Sequence, residues 1–142
     1  MRILASGRDD ELENLAAAAT VVGVGAGVDP ADYGQLAPLL DVLGAELAAT
    51  RKVTDQGWQS RSRQIGLTGR SLAPRLYVAV GLSGKFNHLI GVRGAGMIVA
   101  INADPAAKVF AGADIGIVGD WHEVVPLLVA AIAYDGRVDS RA

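Results

Sequence analysis

The stretch LYVAVGLSGKFNHLIGVRGAGMIVAIN, residues 76–102, contains two apolar runs separated by a polar, glycine-rich segment. The first run is Leu76–Gly81 and the second is Met97–Asn102. Both are continuously hydrophobic, which is typical of strands in a parallel sheet that is covered on both faces. The stretch therefore predicts a strand, a helix that begins near Ser83, and a second strand.

The same order of elements precedes this stretch. The β-branched run Thr20–Gly27 leads to Asp29 and Pro30, an N-cap with proline at the first helical position. The leucines that follow recur with helical spacing and predict one covering helix with a buried stripe. The stripe consists of Leu36, Leu39, Leu40, Leu43 and Leu47.

A further strand and helix follow the central stretch. Ala113–Gly119 predicts the strand, and Asp120 is placed to cap the helix. Residues 48–75 are polar, contain five arginines and predict a long, irregular binding loop. The apolar stripe of the helix that Asp120 begins consists of Trp121, Val124, Val125, Leu128 and Ile132.

Strands that alternate with helices predict an α/β protein: a three-layer, Rossmann-like, open and mostly parallel sheet with helices on both faces.

Length and composition exclude several classes of protein. The 142 residues suffice for one domain, and we expect a helical lead-in over residues 1–19 and the domain over residues 20–142. With 51% hydrophobic residues and a net charge of −2, the chain is too apolar for disorder and lacks the basic excess of a nucleic-acid-binding protein. There is no cysteine, and His88 and His122 show no metal-ligand spacing. The polar start and the lack of a long apolar segment predict no signal peptide and no membrane insertion, hence a cytoplasmic protein.

Two catalytic motifs fail around Ser83. A phosphate-binding loop of the Gly-x4-Gly-Lys-Ser/Thr type would need glycine at residue 79 and a hydroxyl at residue 86, where the chain has Ala79 and Phe86. The Gly-x-Ser-x-Gly elbow of hydrolases fails because glycine directly follows Ser83. Nucleotide hydrolysis and hydrolase chemistry are therefore not expected.

The segment GVGAGV, residues 23–28, approaches the dinucleotide fingerprint Gly-x-Gly-x-x-Gly but has Val28 where the third glycine belongs. A lone match of this kind is a weak indication of a ligand. His88, in the first turns of the helix after Ser83, is by itself better explained as a buried structural histidine than as a ligand contact.

A third indication is positional. In an open parallel sheet, ligands bind beyond the carboxyl ends of the strands, where helix N-termini present unpaired N–H groups. Ser83, Gly84, Asn102 and Asp120 all fall at such ends. Each has a local explanation as well, because Ser83 and Asp120 could cap helices and Asn102 could form a turn with Asp104. Their joint position, beside an arginine-rich loop, favours a ligand with phosphate and ribose groups.

Residues 76–120 resemble the C-terminal FAD-binding domain of the electron transfer flavoprotein α subunit. In that family the segment reads Leu-Tyr-x-Ala-x-Gly-x-Ser-Gly-small-x-Gln-His, then x-Ala-Ile-Asn-x-Asp-Pro, then Ala-Asp-x-Gly-x-x-x-Asp. Upstream, Thr50 and Arg51 resemble the family's Ser/Thr-Arg pair, and residues 64–69 resemble its Gln-x-Gly-x-Thr-Gly loop. The likeness runs from about residue 20 to residue 129.

The resemblance implies that FAD is the cofactor and assigns residues to it by position. Because reduction places negative charge on the isoalloxazine, a permanent cation such as Arg51 would raise its potential. The implied contacts are Arg51, Thr68 and His88 at the isoalloxazine, Thr50, Gln64 and Ser83 at the ribityl–pyrophosphate part, Asn102 and Asp120 at the adenosine end, and Gly66 and Gly84 within the same loops.

The function implied by the resemblance is that of an FAD-binding electron carrier without a substrate of its own. It would form a heterodimer with an electron transfer flavoprotein β-type subunit and receive electrons from flavin dehydrogenases. The chain departs from the family pattern at Leu67, at Lys85-Phe86-Asn87 and in the GVGAG turn, which lacks an arginine that Lys85 could replace. These departures keep an alternative open: a degenerate module that binds an adenine nucleotide or only a partner subunit, without redox activity.

Overall fold

A computed structural model describes residues 18–65, 73–82, 92 and 94–141, with side chains described as far as residue 134. Its strands are β1 (Thr20–Val24), β2 (Glu46–Ala49), β3 (Leu76–Val80), β4 (Met97–Asn102) and β5 (Ile115–Val118). They form one five-stranded sheet of order β2-β1-β3-β4-β5, in which every neighbouring pair is parallel. The predicted Rossmann-like parallel sheet is therefore confirmed. The helices are α1 (Ala37–Leu43), α2 (Arg51–Asp55) and α3 (Trp121–Arg141), and 3₁₀ helices cover Pro30–Leu36, Arg61–Arg63 and Lys108–Gly112.

Two clusters of buried side chains lie on opposite faces of the sheet. The first contains Tyr77, and the 3₁₀ helix Lys108–Gly112 packs against it. The second lies beneath α1 and α3, which contact each other and contribute Leu39 and Val125. The expected three layers follow from this alternation of strand side chains between the two faces. Among the described residues, no helix is both long and apolar enough to cross a lipid bilayer.

The predicted leucine helix is divided. Residues Pro30–Leu36 form a 3₁₀ helix, and α1 begins only at Ala37. Pro38 explains the division, because it has no N–H with which to continue the preceding helix and is tolerated in the first turn of a new one. Gly44, with a φ of 60°, ends α1 in the left-handed conformation that glycine adopts without strain.

Leu47 lies in β2, so the prediction of one helix that extends to Leu47 is wrong. Glu46–Ala49 contains no β-branched residue, and its sequence alone does not indicate a strand. Its conformation depends on parallel pairing with β1, in which Val22 is the partner of Leu47. The remaining leucines are buried at Leu36 and Leu39 and partly buried at Leu40 and Leu43.

Residues 48–65 are more regular than the predicted irregular loop. They contain the end of β2, α2 and the 3₁₀ helix Arg61–Arg63. The Ser60 hydroxyl caps this 3₁₀ helix by accepting a hydrogen bond from the Ser62 amide at 3.2 Å. Gln64 then forms an isolated parallel bridge with Ala49. The irregular-loop prediction is wrong for this part, and residues 66–72 lie outside the described residues.

Candidate cofactor site

The order of the strands defines a crevice between β1 and β3. The chain passes from β1 to β2 on one side and then crosses to β3 on the other side of β1. In sheets of this order, ligands bind outside the carboxyl ends of the strands at the point where the direction reverses. Here that point lies beyond Val24 and Val80, the last residues of β1 and β3.

The glycines at this point serve contacts between the two loops. The Gly25 amide donates to the Val80 carbonyl oxygen at 3.0 Å, and the Gly27 amide donates to the Gly81 carbonyl oxygen at 3.1 Å. A Cβ atom on Gly27 would lie 2.9 Å from that oxygen, and Gly81 has a φ of 67°. Both N–H groups are therefore used within the protein. Close packing of the two loops explains the glycines of the GVGAGV segment, and the Gly25 and Gly27 amides are not available to a phosphate.

Thr50 follows the carboxyl end of β2 and begins α2. Its amide donates to the Val24 carbonyl oxygen at 3.1 Å, and its own carbonyl oxygen accepts from the amides of Val53 and Thr54. Its Oγ1 atom is buried and has no hydrogen-bond partner among the described residues. The chain thus holds a buried hydroxyl beside the crevice with its hydrogen-bonding capacity unused.

Arg51, the next residue, carries an exposed guanidinium. Its Nε atom lies 3.3 Å from Oδ2 of Asp55, and the other oxygen of that carboxylate accepts a bond of 2.8 Å from Nη2 of Arg61. The hydrogen bond from Arg61, together with the charges of both arginines, lowers the pKa of the Asp55 carboxyl below its usual value. Because two cations share one anion, this cluster presents a positive charge beside the end of β2.

Gln64 is brought next to these residues by the bridge to β2. Its side chain is only 4% exposed, and Oε1 accepts from the Thr54 hydroxyl and from Nη1 of Arg61 at 3.3 Å. The Thr54 hydroxyl also lies 3.1 Å from the Arg51 carbonyl oxygen. The structure thus brings together Thr50, Arg51 and Gln64, three residues that the sequence predicted for one site.

Asn102 stands at the carboxyl end of β4. Its Nδ2 atom donates to the Leu82 carbonyl oxygen at 2.7 Å, and its Oδ1 atom accepts from the Asp104 amide at 2.9 Å. The turn predicted for Asn102 and Asp104 is therefore confirmed. The side chain ties the end of β4 to the residue that follows the β3 turn, and one N–H of its amide is not used by these bonds.

Asp120 follows β5 and caps α3 as predicted. Its Oδ1 atom accepts from the His122 amide at 2.9 Å and from the His122 ring nitrogen Nδ1 at 2.7 Å. The other ring nitrogen, Nε2, lies 2.8 Å from Oδ2 of Asp32 in the 3₁₀ helix after β1. Sequence reasoning missed this role of His122. The signal is the Asp-x-His spacing at a helix start, but its partner Asp32 is 90 residues away and shows no sequence relation to it.

Half of the predicted contacts cannot be placed. Gly66, Thr68, Ser83, Gly84 and His88 lie outside the described residues. The same holds for Leu67, for residues 85–87, and for residues 1–17 of the expected helical lead-in. The predicted contacts that the structure does describe are Thr50, Arg51, Gln64, Asn102 and Asp120.

Unused polar atoms indicate whether these residues fit a ligand with hydroxyl, phosphate and amide groups. Among the described residues, three buried side-chain atoms lack a partner: Tyr33 Oη, Thr50 Oγ1 and Trp121 Nε1. All three residues belong to segments that follow the carboxyl ends of strands. An unsatisfied buried group costs about 1–3 kcal/mol, so such atoms are expected where a bound molecule supplies the partner. These unused groups, the Arg51 guanidinium and Asp120 Oδ2, which accepts neither bond from His122, fit a dinucleotide.

Comparison with known proteins points to the same ligand. Residues 14–93 match the family described as electron transfer flavoprotein FAD-binding domain. Protein FixB of Bradyrhizobium diazoefficiens is 41% identical over 95% of this chain and 37% of its own length. FixB of Azorhizobium caulinodans is 44% identical over 87% of this chain and 34% of its own length.

A third relative is named electron transfer flavoprotein subunit alpha, from Thermoanaerobacterium thermosaccharolyticum. It is 42% identical over 84% of this chain and 36% of its own length. The chain thus spans only about a third of the length of these relatives. The resemblance inferred from the motifs and the assignment of FAD as the cofactor are both confirmed, and the chain belongs to the family of electron transfer flavoprotein FAD-binding domains.

Proposed function

We propose that this chain holds and tunes FAD as the electron carrier of an electron transfer flavoprotein. The observation that carries the proposal is the family match over residues 14–93, because this family is described by the cofactor that it binds. The buried, unpartnered Thr50 hydroxyl and the exposed Arg51 guanidinium at the end of β2 support it. When bound, FAD supplies one- and two-electron redox chemistry.

The residues have separate roles in this proposal. Arg51 places a permanent positive charge at the isoalloxazine, and Thr68 and His88 donate hydrogen bonds there. Thr50, Gln64 and Ser83, with Gly66 and Gly84, hold the ribityl–pyrophosphate part. Asn102 offers its second amide N–H, and Asp120 offers Oδ2, to the adenosine end. The roles are inferred from position in the family motifs, and the exposed cation at Arg51 and the free oxygen at Asp120 support two of them.

We propose no substrate for the chain beyond the electrons that it carries. Relatives named as α subunits imply a second, β-type subunit, so a heterodimer is the proposed assembly. Flavin dehydrogenases are the proposed electron donors. The cytoplasm remains the proposed location, although the relatives include proteins named as mitochondrial.

Thermal unfolding with three ligands tests the function. FAD at a hundredfold excess over its Kd should stabilise the fold by about 2.7 kcal/mol, which raises Tm by several degrees. FMN lacks the adenosine part and should protect less. If ADP protects as well as FAD does, the isoalloxazine adds nothing, and the alternative of an adenine-nucleotide module gains. Protection by none of the three contradicts the proposal.

A further inference from the structure

His122 joins two carboxylates that belong to different parts of the fold. Asp120 follows β5 at one edge of the sheet, whereas Asp32 belongs to the 3₁₀ helix that follows β1. The imidazole spans them, with Nδ1 2.7 Å from Asp120 and Nε2 2.8 Å from Asp32. One side chain therefore connects the segment after β1 with the first turn of α3.

The positions of the two carboxylates favour a charged imidazole. A neutral ring carries one N–H and one lone pair, so one of its nitrogens would face a carboxylate oxygen without a proton between them. Only the imidazolium donates at both ends. In agreement with this, the hydrogen bond to Asp32, followed by that to Asp120, raises the pKa of His122 above its usual value. Asp32 and Asp120 are the charged groups in contact with the ring among the described residues.

The same contacts orient the Asp120 carboxylate. Its Oδ1 atom accepts two hydrogen bonds, one from the His122 amide and one from the His122 ring. Its Oδ2 atom accepts neither of these bonds. The indole of Trp121, only 6% exposed, stacks on the imidazole at a centroid distance of 4.0 Å and an interplanar angle of 28°. The ring is thus held by two hydrogen bonds and one stacking contact.

We propose that His122 is a positioning residue that, with Asp32, fixes the Asp120 carboxylate for the adenosine end of FAD, and that FAD affinity falls when the imidazole loses its proton. This inference rests on the proposed function. With the ring neutral, one of its two hydrogen bonds is lost. Asp120 is then held by the His122 amide alone, or by the amide and a ring that no longer bridges to Asp32, so the direction of Oδ2 is less closely fixed. The effect is on affinity and not on the flavin potential, because the adenosine end is remote from the redox-active ring.

The sign of the pH dependence follows from the raised pKa. The bridge is fully formed below the ordinary histidine pKa of about 6.5 and is lost as the pH rises through the higher pKa of the folded protein. The stability of the ligand-free protein should therefore decrease as the pH rises through this interval. Oxidised FAD has no group that titrates near neutral pH, so a change in its affinity there reports on the protein.

Two measurements on the full chain test the proposal. NMR titration of the His122 imidazole gives its pKa. FAD titration between about pH 6 and pH 9, a range that extends roughly 2.5 units above the ordinary histidine pKa, gives the dissociation constant. For the parent protein we expect FAD binding to weaken about fivefold across the imidazole titration. His122→Gln cannot bridge both carboxylates and should bind FAD about fivefold more weakly at pH 6, with no further change up to pH 9. Its flavin potential should equal that of the parent.

Asp32→Asn keeps the hydrogen bond between His122 and Asp120, and it tests the proposal if His122→Gln does not fold. It removes the largest cause of the raised pKa, so the imidazole titration and the change in FAD affinity should move together to lower pH. Glu123→Gln is the matched control, because Glu123 is an exposed carboxylate on the same turn that does not contact the ring. Glu123→Gln should leave the imidazole titration and the change in FAD affinity at the same pH as in the parent.

The outcomes separate this proposal from the proposed function. If FAD binding has the same pH dependence in the parent and in His122→Gln, or if the affinity change in Asp32→Asn does not follow the imidazole titration, the positioning role is overturned and the proposed function stands. If the parent binds no FAD at any pH, the proposed function falls, and this proposal falls with it.

Discussion

At the residue scale, Arg51 carries the redox part of the proposal. Its ion pair with Asp55 is exposed, with 64% of the arginine side chain accessible, and exposed pairs contribute little to stability. A change at this position should therefore leave the fold intact. The effect that remains is electrostatic, because a guanidinium stabilises negative charge on the reduced ring.

Arg51→Ala should lower the two-electron flavin potential by about 30 mV, which corresponds to roughly 1.4 kcal/mol of lost stabilisation of the reduced ring. The affinity for oxidised FAD should fall by less than this amount. Spectroelectrochemical titration measures the potential. Lys52→Ala, which removes the neighbouring exposed cation of α2, is the control and should leave the potential unchanged. Equal potentials in Arg51→Ala and the parent would refute the role of Arg51.

The glycines at the ends of β1 and β3 give a second prediction at this scale. A Cβ atom on Gly25 would lie 2.7 Å from the Leu82 Cα atom, and backbone cannot move aside as a flexible side chain can. Gly25→Ala should therefore destabilise the protein by about 1–3 kcal/mol, measured by urea unfolding. Gly34→Ala is the control, because a Cβ atom there meets nothing within 4 Å. A loss of the same size in both variants would contradict the packing role of Gly25.

At the element scale, the sequence predicted strands where hydrophobic runs are continuous. β4 has the predicted bounds, Met97–Asn102, and β1, β3 and β5 each lie within a run that predicts a strand. β2 is not predicted, because Leu47 continues the helical spacing of the leucines in α1 and the strand conformation depends on pairing with β1. Gly44 was the local signal that α1 ends, and it outweighs the periodicity that continues through Leu47.

The leucines of α1 give the prediction at this scale. Leu39 is fully buried between α1 and the sheet, in contact with the cluster that also contains Val125 of α3. Leu39→Ala should cost about 2–5 kcal/mol, since it removes apolar contacts and leaves a cavity. Leu127 of α3 is 72% exposed, and Leu127→Ala should change the free energy of unfolding by less than about 0.5 kcal/mol. Equal losses in the two variants would show that α1 does not cover the core.

At the scale of the whole molecule, the sheet order explains why the site could be predicted only in part. The sequence predicts that Asn102 and Asp120 lie at the carboxyl ends of strands, and it also predicts their local hydrogen bonds. The sequence does not predict the bridge from Asp120 through His122 to Asp32, because this bridge depends on how α3 packs beside the segment after β1. The hydrogen bonds from the Gly25 and Gly27 amides to the carbonyl oxygens at the end of β3 likewise depend on the neighbouring strand, so the sequence does not predict them.

The central claim, that this chain binds FAD as a redox carrier, is tested most directly by the visible absorption spectrum of the purified chain with added FAD, after removal of free cofactor. We predict flavin bands that remain with the protein at one FAD per chain, disappear on reduction and return on exposure to air. A colourless protein that retains no FAD would contradict the account.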